Sequence, residues 1–562
     1  MRFEFQFVSA LEKVFCRPDF VPEIPIRPSS GQLPRYHAAR GETVHCQLMV
    51  KCEVNIHLKF SAGTPDGISA DFREVGHVPC DMPSRPDDPD ARFTTPGLFP
   101  DPLLPLAAGM RLTCGNWHAV YVRFRVSPDC VPGSYMIPVH LDMFQPEGCP
   151  WKLPFDLHET ASVELVVHEA RIVPQKLVCT NWFHCDCLAR YYHVEPWSEA
   201  FWRIAENYWR DMAEHGVTML YTPLWTPPLD TAIGHERPTA QLLTVERKKD
   251  GFTFDFSRLE KFIDLASKCG ITHFEMSHLF TQWGAKATPK IVVDTDRGPE
   301  KMFGWHVPSD SPLYREFLSA LLPELCGFLK RKGLSGKVYF HLSDEPSEAN
   351  LAIYRFASEL VHRCLPAAEF PVMDALSDVE FCRRKLLEIP VPAIHHFPEF
   401  EQEMLRERWC YYAGDVAGCT GRSFGLPSFR NRIAGVLFYL YRIDGFLHWG
   451  HNFWFNQYSL DQDLDPWRDT TAGRAFCGGG SFNVYPGKDG HPVDALHYEI
   501  FTLALQDHRL LLTLENRIGR EAVIRLIHDG LDYAVSLKHY PASAAWLERL
   551  HNAVLKKLDE KS

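Results

Sequence analysis

The chain has 562 residues, a formal charge of −12 and 45% hydrophobic residues, a composition typical of folded domains rather than of disordered chains. The acidic balance and the absence of a dense Lys/Arg run exclude a nucleic-acid partner or an anionic membrane surface, because affinity for phosphates depends on cationic side chains. The longest uncharged apolar stretch, 433–441, is less than half of the ~20 residues that span a bilayer.

The N-terminus and the cysteines indicate a cytoplasmic protein. Glu4 and Gln6 interrupt what would have to be the apolar core of a signal peptide. The 17 cysteines lack the spacing of a disulfide framework, and we expect them to be reduced. The sequence gives no basis for predicting an oligomeric state.

The first part of the chain consists of short alternating runs separated by Pro, Gly and Asp. Four such runs are 43–50, 119–126, 133–141 and 161–168. Alternation with a period of two and turns at this spacing is typical of strands with one buried face. We therefore predict an N-terminal antiparallel β-sandwich over residues 1–170.

From residue 171 the pattern changes to apolar strands that alternate with long amphipathic helices. Eight strands are predicted at 176–180, 217–221, 271–276, 337–342, 370–373, 391–395, 408–412 and 445–449. Helices are predicted between them at 198–215, 256–269, 312–332, 348–364, 378–387 and 427–441. This α/β order predicts a (β/α)8 TIM barrel over residues 171–495. Residues 496–562 are expected to form a C-terminal helical segment that packs on the barrel.

In a TIM barrel the chemistry lies at the carboxyl ends of the strands. The predicted strand ends are rich in carboxylates, imidazoles and aromatic rings, a combination that suits a sugar because rings stack on C–H faces and polar groups bind hydroxyls. The expected substrate-binding side chains are Trp182, His184, His278, Asp374, Tyr411, Tyr412 and Trp449. Either Tyr411 or Tyr412 is expected to donate its phenol to the substrate.

The strongest signal is the pair Asp344 and Glu345, which follows the predicted fourth strand and precedes Pro346. Consecutive strand residues point to opposite faces, so both can serve one site only where the strand ends. Sequence neighbours are poorly placed to flank a sugar ring as a conventional pair of glycosidase carboxylates does. They suit substrate-assisted hydrolysis, in which a 2-acetamido group of the sugar is the nucleophile. Glu345 would then be the acid and base with a raised pKa, and an ionised Asp344 would hold the acetamido N–H.

These motifs resemble glycoside hydrolase family 123 and its wider relatives. The resemblance runs from about Val178 to Leu514 and is carried by residues 180–184, 226–231, 278–285, 341–346, 373–378, 427–432, 445–450 and 484–487. It implies a β-sandwich joined to a TIM-barrel catalytic domain and a β-N-acetylgalactosaminidase that works by substrate assistance. It also implies that Asp344 positions the acetamido group and that Glu345 is the acid/base, with retention of configuration.

The chain departs from the family pattern at Gly421, Gly480 and His497, where relatives tend to have polar residues that bind hydroxyls. Two alternatives therefore stay open. One is a glycosidase for another sugar that uses Asp374 or Asp186 as a second carboxylate, and the other is a non-catalytic carbohydrate-binding barrel. We predict no cofactor. We also predict no metal, because His184, Cys185 and Cys187 lack a second pair of ligands.

Overall fold

A computed structural model describes residues 2–24, 33–148, 154–414 and 416–560. The chain forms two compact units that interleave along the sequence. Unit 1 contains residues 1–175, 420–441 and 493–562, and unit 2 contains residues 176–419 and 442–492.

The strands and helices are numbered in chain order. The strands are β1 (Phe3–Ser9), β2 (Arg35–Arg40), β3 (Thr43–Cys52), β4 (Ile56–Ala62), β5 (Ile68–Cys80), β6 (Gly97–Pro105), β7 (Met110–Leu112), β8 (Trp117–Val126), β9 (Gly133–Phe144), β10 (His158–Arg171), β11 (Val178–Asn181), β12 (Met219–Thr222), β13 (Thr244–Lys248), β14 (Gly251–Asp255), β15 (His273–Met276), β16 (Ile291–Thr295), β17 (Gly298–Phe303), β18 (Val338–His341), β19 (Val372–Ala375), β20 (Ile389–Val391), β21 (Trp409–Tyr411), β22 (Gly445–His448), β23 (Val484–Pro486) and β24 (Pro492–Asp494). The helices are α1 (Cys185–Tyr191), α2 (Glu199–Glu214), α3 (Ser257–Lys268), α4 (Pro312–Arg331), α5 (Leu351–His362), α6 (Val379–Arg383), α7 (Phe397–Phe400), α8 (Phe429–Arg432), α9 (Ala434–Tyr441), α10 (Leu496–Ile518), α11 (Arg520–Ile527) and α12 (Ala544–Asp559).

Unit 1 contains two five-stranded sheets with the strand orders β1-β3-β8-β5-β6 and β2-β10-β9-β4-β7. Alternate residues of both sheets, such as Leu48 of β3 and Val163 of β10, belong to one buried hydrophobic cluster. The prediction of purely antiparallel strands is wrong at one edge, since β2 pairs with β10 in parallel. The period-two pattern identifies the buried face of a strand but carries no information about its direction.

The C-terminal helices differ from the prediction of a separate segment on the barrel. Helix α10 packs against α8, α9 and β6, and α12 packs against β10 and β2. Together with residues 420–441 they belong to unit 1, so the boundaries predicted at 170 and 495 do not divide the chain as its contacts do. The apolar face of an amphipathic helix indicates that it is buried, but it does not specify the partner.

The contact between α9 and α10 depends on a glycine. A Cβ atom on Gly435 would lie 1.9 Å from the carbonyl oxygen of Ala504. Because backbone atoms cannot yield as a flexible side chain can, we expect Gly435→Ala to lower the free energy of unfolding by about 2–3 kcal/mol, measured by chemical denaturation. The control is Gly327→Ala in α4, where the nearest atom is the Arg331 side chain at 3.5 Å, and this change should be neutral or slightly stabilising. Equal stabilities for the two variants would contradict the close helix contact.

Unit 2 is built on an eight-stranded parallel sheet with the order β20-β19-β18-β15-β12-β11-β22-β21. The two ends of this order meet just beyond β20, where Ala393 forms a parallel bridge to Tyr411 and the Ile394 N–H donates to the Tyr411 carbonyl at 2.7 Å. The predicted eight-stranded parallel barrel is therefore confirmed. All eight observed strands overlap the predicted ranges, although the sixth, β20, begins two residues before its range and shares only Val391 with it.

A second sheet, β14-β13-β16-β17, was not predicted. The chain leaves the barrel after β12 to form β13 and β14, and it leaves again after β15 to form β16 and β17. The loops 223–243 and 277–290 are therefore anchored by strands at both ends. Among the described residues no helix is long and apolar enough to cross a membrane. The cysteines in the described ranges are free thiols.

Candidate active site

The backbone changes direction at Glu345, the second residue of the acidic pair. Glu345 has a φ of +43°, in the left-handed region that costs a non-glycine residue about 1 kcal/mol or more. The Glu345 N–H donates to the Ala375 carbonyl at 2.8 Å, and the Trp283 N–H donates to the Asp344 carbonyl at 2.6 Å. The loop after β15 and the last residue of β19 thus hold this turn in place. The turn removes the strand geometry that would send the two carboxylates to opposite faces.

Asp344 lies over the barrel interior. One of its carboxylate oxygens and one ring nitrogen each of His278 and His341 all lie within 4.8 Å of one another. Asp344 is half-buried. Burial, then the charge of Glu345, raises the pKa of Asp344 well above its usual range, and His341 opposes this rise. The sequence predicts an ionised Asp344, but burial and the neighbouring charge of Glu345 favour its protonated form in the free protein.

Glu345 is exposed. Its Oε1 accepts a hydrogen bond of 2.6 Å from the Tyr411 hydroxyl at the end of β21. Burial, followed by the charge of Glu345, raises the pKa of Tyr411 well above its usual range, so the phenol remains a donor. Tyr412 lies against the rings of Phe446 and His448 instead. Of the two predicted tyrosines, Tyr411 is therefore the one that contacts the acidic pair.

His341 is completely buried between two carboxylates. Its Nδ1 lies 2.8 Å from Glu275 Oε1, and its Nε2 lies 3.3 Å from Asp374 Oδ1. Against the cost of burial, the hydrogen bonds of Asp374 and Glu275 raise the pKa of His341 to about 10. The Ala375 N–H also points to Nε2 at 3.2 Å, an arrangement that suits a neutral ring. Two fully buried carboxylates outweigh one amide dipole, so we assign His341 as an imidazolium.

Trp182 and Asp374 support this buried charge network. The Trp182 indole is 2% exposed and donates to both carboxylate oxygens of Glu275 at 3.0 Å. Asp374 Oδ2 accepts from the Ser343 N–H and from the Tyr354 hydroxyl, each at 2.9 Å. We predicted that both residues bind the sugar directly. The Trp182 indole N–H and Asp374 Oδ2 are engaged by protein partners, and direct binding of the sugar by either residue stays a prediction.

His278 retains one ring nitrogen that no described residue contacts through a hydrogen bond. The Tyr221 hydroxyl lies 2.9 Å from Nδ1 and also accepts the His278 backbone N–H at 3.4 Å, so the hydroxyl proton is directed to Nδ1. Burial and the charge of His341 hold the pKa of His278 well below its usual range. Nε2 is then an N–H donor, buried and without a partner among the described residues.

The grouping of His278, His341 and Asp344 has the spacing of a cation site. The donor chemistry does not fit a metal, because carboxylates flank both nitrogens of His341 and a metal would have to displace one of them. The residues fit a proton-bearing charge network instead.

His184 and Asp186 lie in a separate buried cluster around Arg237. Arg237 forms two hydrogen bonds of 2.7 Å with the Asp186 carboxylate, and its Nη2 donates to His184 Nδ1 at 2.9 Å. His184 Nε2 donates to the Trp449 carbonyl at 2.9 Å. Both ring nitrogens of His184 are engaged by these partners, and its role in binding sugar stays a prediction. Asp186 is fully buried in its ion pair and does not supply the second carboxylate that one alternative requires.

Trp449 remains a candidate for sugar binding. Its ring packs against Phe453 and Phe476 with centroid distances of 5.1 and 4.6 Å, and 6% of the residue is exposed. Its indole N–H is buried and has no hydrogen-bond acceptor among the described residues.

Sequence reasoning missed four side chains that form the site: Asp230, Glu275, Gln282 and His341. Glu275 and His341 lie in short apolar strands, where a charged or imidazole group is unusual. That irregularity is a signal which could have identified them. Asp230 and Gln282 lie in loops, and nothing in their spacing indicates that they meet.

The loop 281–285 braces the acidic pair, and Gly284 allows its close approach. The Ala285 N–H donates to Ser343 Oγ at 2.9 Å, and a Cβ atom on Gly284 would lie 2.2 Å from Asn350 Cγ. Because Gly284 also has a φ of +104°, alanine is strained there in addition to the clash. We expect Gly284→Ala to displace Asp344 and to lower kcat/KM for the substrate class proposed below by about 100-fold. Gly298→Ala, at a φ of +106° with open space around it, is the control for backbone strain alone and should retain activity.

The residues at the three positions that depart from the family pattern each contact another residue of their own unit. His497 Nδ1 lies 2.7 Å from Asp101 Oδ1, and the Gly421 N–H donates to the Arg430 carbonyl at 3.1 Å, both within unit 1. The Gly480 N–H donates to the Cys477 carbonyl at 2.9 Å in unit 2. These positions therefore carry structural hydrogen bonds.

A sequence model of the glycoside hydrolase 123 catalytic domain matches residues 182–514, more than half of the chain. No curated protein matches at a significant level. Among solved structures, a family 123 glycoside hydrolase from Clostridium perfringens, described in a study of glycolipid glycan hydrolysis, aligns with a TM-score of 0.71 at 12% identity. The alignment covers 99% of this chain and 97% of that one.

Two further matches cover only small parts of the chain. AvmM, which catalyses a macrocyclization in alchivemycin A biosynthesis, aligns over 29% of this chain and 88% of its own, at 12% identity and a TM-score of 0.16. The Salmonella enterica SafA pilin with its SafB chaperone aligns over 31% and 59%, at 11% identity and a TM-score of 0.16. Neither match carries an argument about fold or function.

Proposed function

The chain belongs to glycoside hydrolase family 123, and from this premise we propose that it releases terminal β-linked N-acetylgalactosamine with retention of configuration. The observation that supports the proposal is the turn at Glu345. It puts Asp344 above the His278–His341 pair, while Glu345 reaches the Tyr411 hydroxyl across the barrel. A C. perfringens family member of the same fold is described as hydrolysing glycolipid glycans, which is consistent with an N-acetylated sugar as the substrate here.

In the proposed reaction the sugar's own acetamido oxygen attacks the anomeric carbon. Glu345 donates a proton to the departing glycosidic oxygen, and the oxazolinium intermediate carries the positive charge. Asp344, ionised when it accepts the acetamido N–H, stabilises that charge. Glu345 then removes a proton from the water that opens the intermediate. The pair must therefore carry one proton and one negative charge at the start of each cycle. The raised pKa of Asp344 fits a pair that holds one proton between its members.

The groups around the pair supply what the reaction requires. The Tyr411 hydroxyl orients the Glu345 carboxylate. No cofactor is part of the proposal. The conventional alternative requires a second carboxylate that can reach the sugar. Asp186 is held in its ion pair with Arg237, and both oxygens of Asp374 face buried partners.

The proposal is tested with aryl β-glycosides of N-acetylgalactosamine, N-acetylglucosamine, galactose and glucose. We expect release from the first two, with the galacto sugar favoured, and no release from the sugars with a free 2-hydroxyl. A thiazoline analogue of the oxazolinium should inhibit tightly, because it resembles the intermediate that only this mechanism forms. Hydrolysis of galactosides without thiazoline inhibition would favour the conventional glycosidase. Sugar binding without hydrolysis would favour the carbohydrate-binding alternative.

A further inference from the structure

A third carboxylate, Asp230, is held beside the acidic pair by a strained and clamped backbone. It lies in the loop after β12 with a φ of +42°, in the left-handed region. Its N–H donates to Gln282 Oε1 at 2.6 Å, and Gln282 Nε2 donates to the Thr231 carbonyl at 2.9 Å. The Gln282 side chain thus clamps the backbone at Asp230 and Thr231, and this clamp is buried because Gln282 is 3% exposed. A strained backbone that is fixed in this way gives the Cα–Cβ bond of Asp230 a defined direction.

The clamp connects Asp230 to the acidic pair through adjacent residues. Gln282 holds the Asp230 N–H, and the next residue, Trp283, donates its own N–H to the Asp344 carbonyl at 2.6 Å. One short segment therefore sets the positions of both acids. The two carboxylates are close enough for the charge of Asp230 to raise the pKa of Asp344.

Among the described residues, the Asp230 carboxylate differs from those of Asp186 and Asp374 in its hydrogen bonding. Asp186 and Asp374 are engaged by Arg237 and by Ser343 and Tyr354, respectively. The side chain of Asp230 is half-buried, yet its oxygens accept no hydrogen bond from any described residue. A fixed carboxylate with free acceptor oxygens in a sugar site is suited to hydroxyl groups.

We propose that Asp230 is a specificity-determining residue that accepts hydrogen bonds from hydroxyls of the bound sugar. This inference rests on the proposed function and extends it, since it assigns the recognition of the sugar ring to a residue outside the acidic pair. Asp230 acts in binding and leaves the chemical step to Asp344 and Glu345.

The proposal has a consequence for pH. Burial raises the pKa of Asp230 to about 7, with Arg237 opposing the rise and Glu345 adding to it. The charged groups that face it are Arg237 from its own loop and Asp344 and Glu345 from the loop after β18. An ionised carboxylate accepts hydroxyl hydrogen bonds at both oxygens, so sugar binding should strengthen as the pH rises through about 7.

The experiment compares the wild type and Asp230→Asn by calorimetric titration with N-acetylgalactosamine and by steady-state kinetics at pH 5.5 and 8. Asparagine tolerates the left-handed backbone, so the fold should be retained, and thermal unfolding checks this. We expect Asp230→Asn to weaken sugar binding and to raise KM by about 10- to 100-fold at pH 8, with kcat changed by less than about threefold. At pH 5.5 the difference from wild type should become small. Ile233→Asn, in the same loop and 72% exposed, is the control and should match the wild type.

Three outcomes overturn the proposal, and they differ from each other. Equal sugar affinity of wild type and Asp230→Asn at pH 8 removes Asp230 from recognition and leaves the proposed function intact. A large loss of kcat at constant KM would make Asp230 a participant in the chemical step. A wild type that neither binds nor hydrolyses any sugar of the panel would end the proposed function and this inference together.

Discussion

Asp344→Asn is expected to hydrolyse an aryl 2-acetamido-β-galactoside about 10²- to 10³-fold more slowly than the wild type, without loss of stability. Asparagine can still contact the acetamido group, but it provides no charge to stabilise the oxazolinium. The stability follows from the raised pKa of Asp344, since a carboxyl whose folded pKa is raised makes the folded state less stable as the pH rises. Removing this ionisable group should therefore leave the melting temperature at pH 8 equal to or higher than that of the wild type.

The companion variant Glu345→Gln separates the two roles. Loss of a general acid costs about 10²- to 10⁴-fold, and the cost should shrink for a dinitrophenyl leaving group, which departs without protonation. Asp344→Asn should show no such dependence on the leaving group. If Asp344→Asn retained full activity, or if both variants responded equally to the leaving group, the assigned roles would be contradicted.

His341→Asn is expected to lower the free energy of unfolding by about 3–5 kcal/mol. The substitution leaves Glu275 and Asp374 as buried acids without the cation between them. His273→Asn on the neighbouring strand β15 is a matched control, because His273 is half-buried and carries no carboxylate contact. It should cost less than about 1 kcal/mol. In the double variant Glu275→Gln/His341→Asn, part of the loss should be restored, and a fully additive loss would argue against the charge network.

The same histidine predicts how stability varies with pH. The folded pKa of His341 is about 10, above the ordinary value near 6.5, so the stabilisation is complete below pH 6.5 and is lost as the pH rises toward 10. Urea denaturation between pH 6.5 and 10 should show a decline in the wild type that is weaker in His341→Asn. A wild-type stability that does not change across this interval would contradict the imidazolium assignment.

The barrel and the acidic pair could be predicted from sequence because their signals are local. Strands such as β18 are apolar runs that end in polar residues, and the Asp344-Glu345-Pro346 sequence marks a strand end. The partners of the pair could not be predicted, since they depend on pairings between distant segments. Glu275 and His341 are 66 residues apart, and Arg237 and Asp186 are 51 residues apart. His184 and Trp182 were predicted at the right end of the barrel, but the hydrogen bonds between their ring nitrogens and other residues are visible only in the three-dimensional structure.

The grouping of the C-terminal helices with unit 1 has the same cause. The sequence of α10 shows an apolar stripe, but its contacts with α8, α9 and β6 depend on chain segments that lie far from it in sequence. The loop residues Asp230 and Gln282 are the clearest case of a contact between segments that are distant in sequence. Their hydrogen bond joins two long excursions from the barrel, which a strand and helix pattern leaves undefined.

The participation of the substrate's acetamido group is the central claim, and it is tested most directly by fluorination of that group. The wild-type kcat/KM should be measured for one aryl galactosaminide with N-acetyl, N-fluoroacetyl, N-difluoroacetyl and N-trifluoroacetyl substituents. Because each fluorine withdraws electrons from the attacking oxygen, we expect kcat/KM to fall steadily, by about 100-fold or more across the series. A kcat/KM that stays the same along the series would show that the amide oxygen does not attack the anomeric carbon.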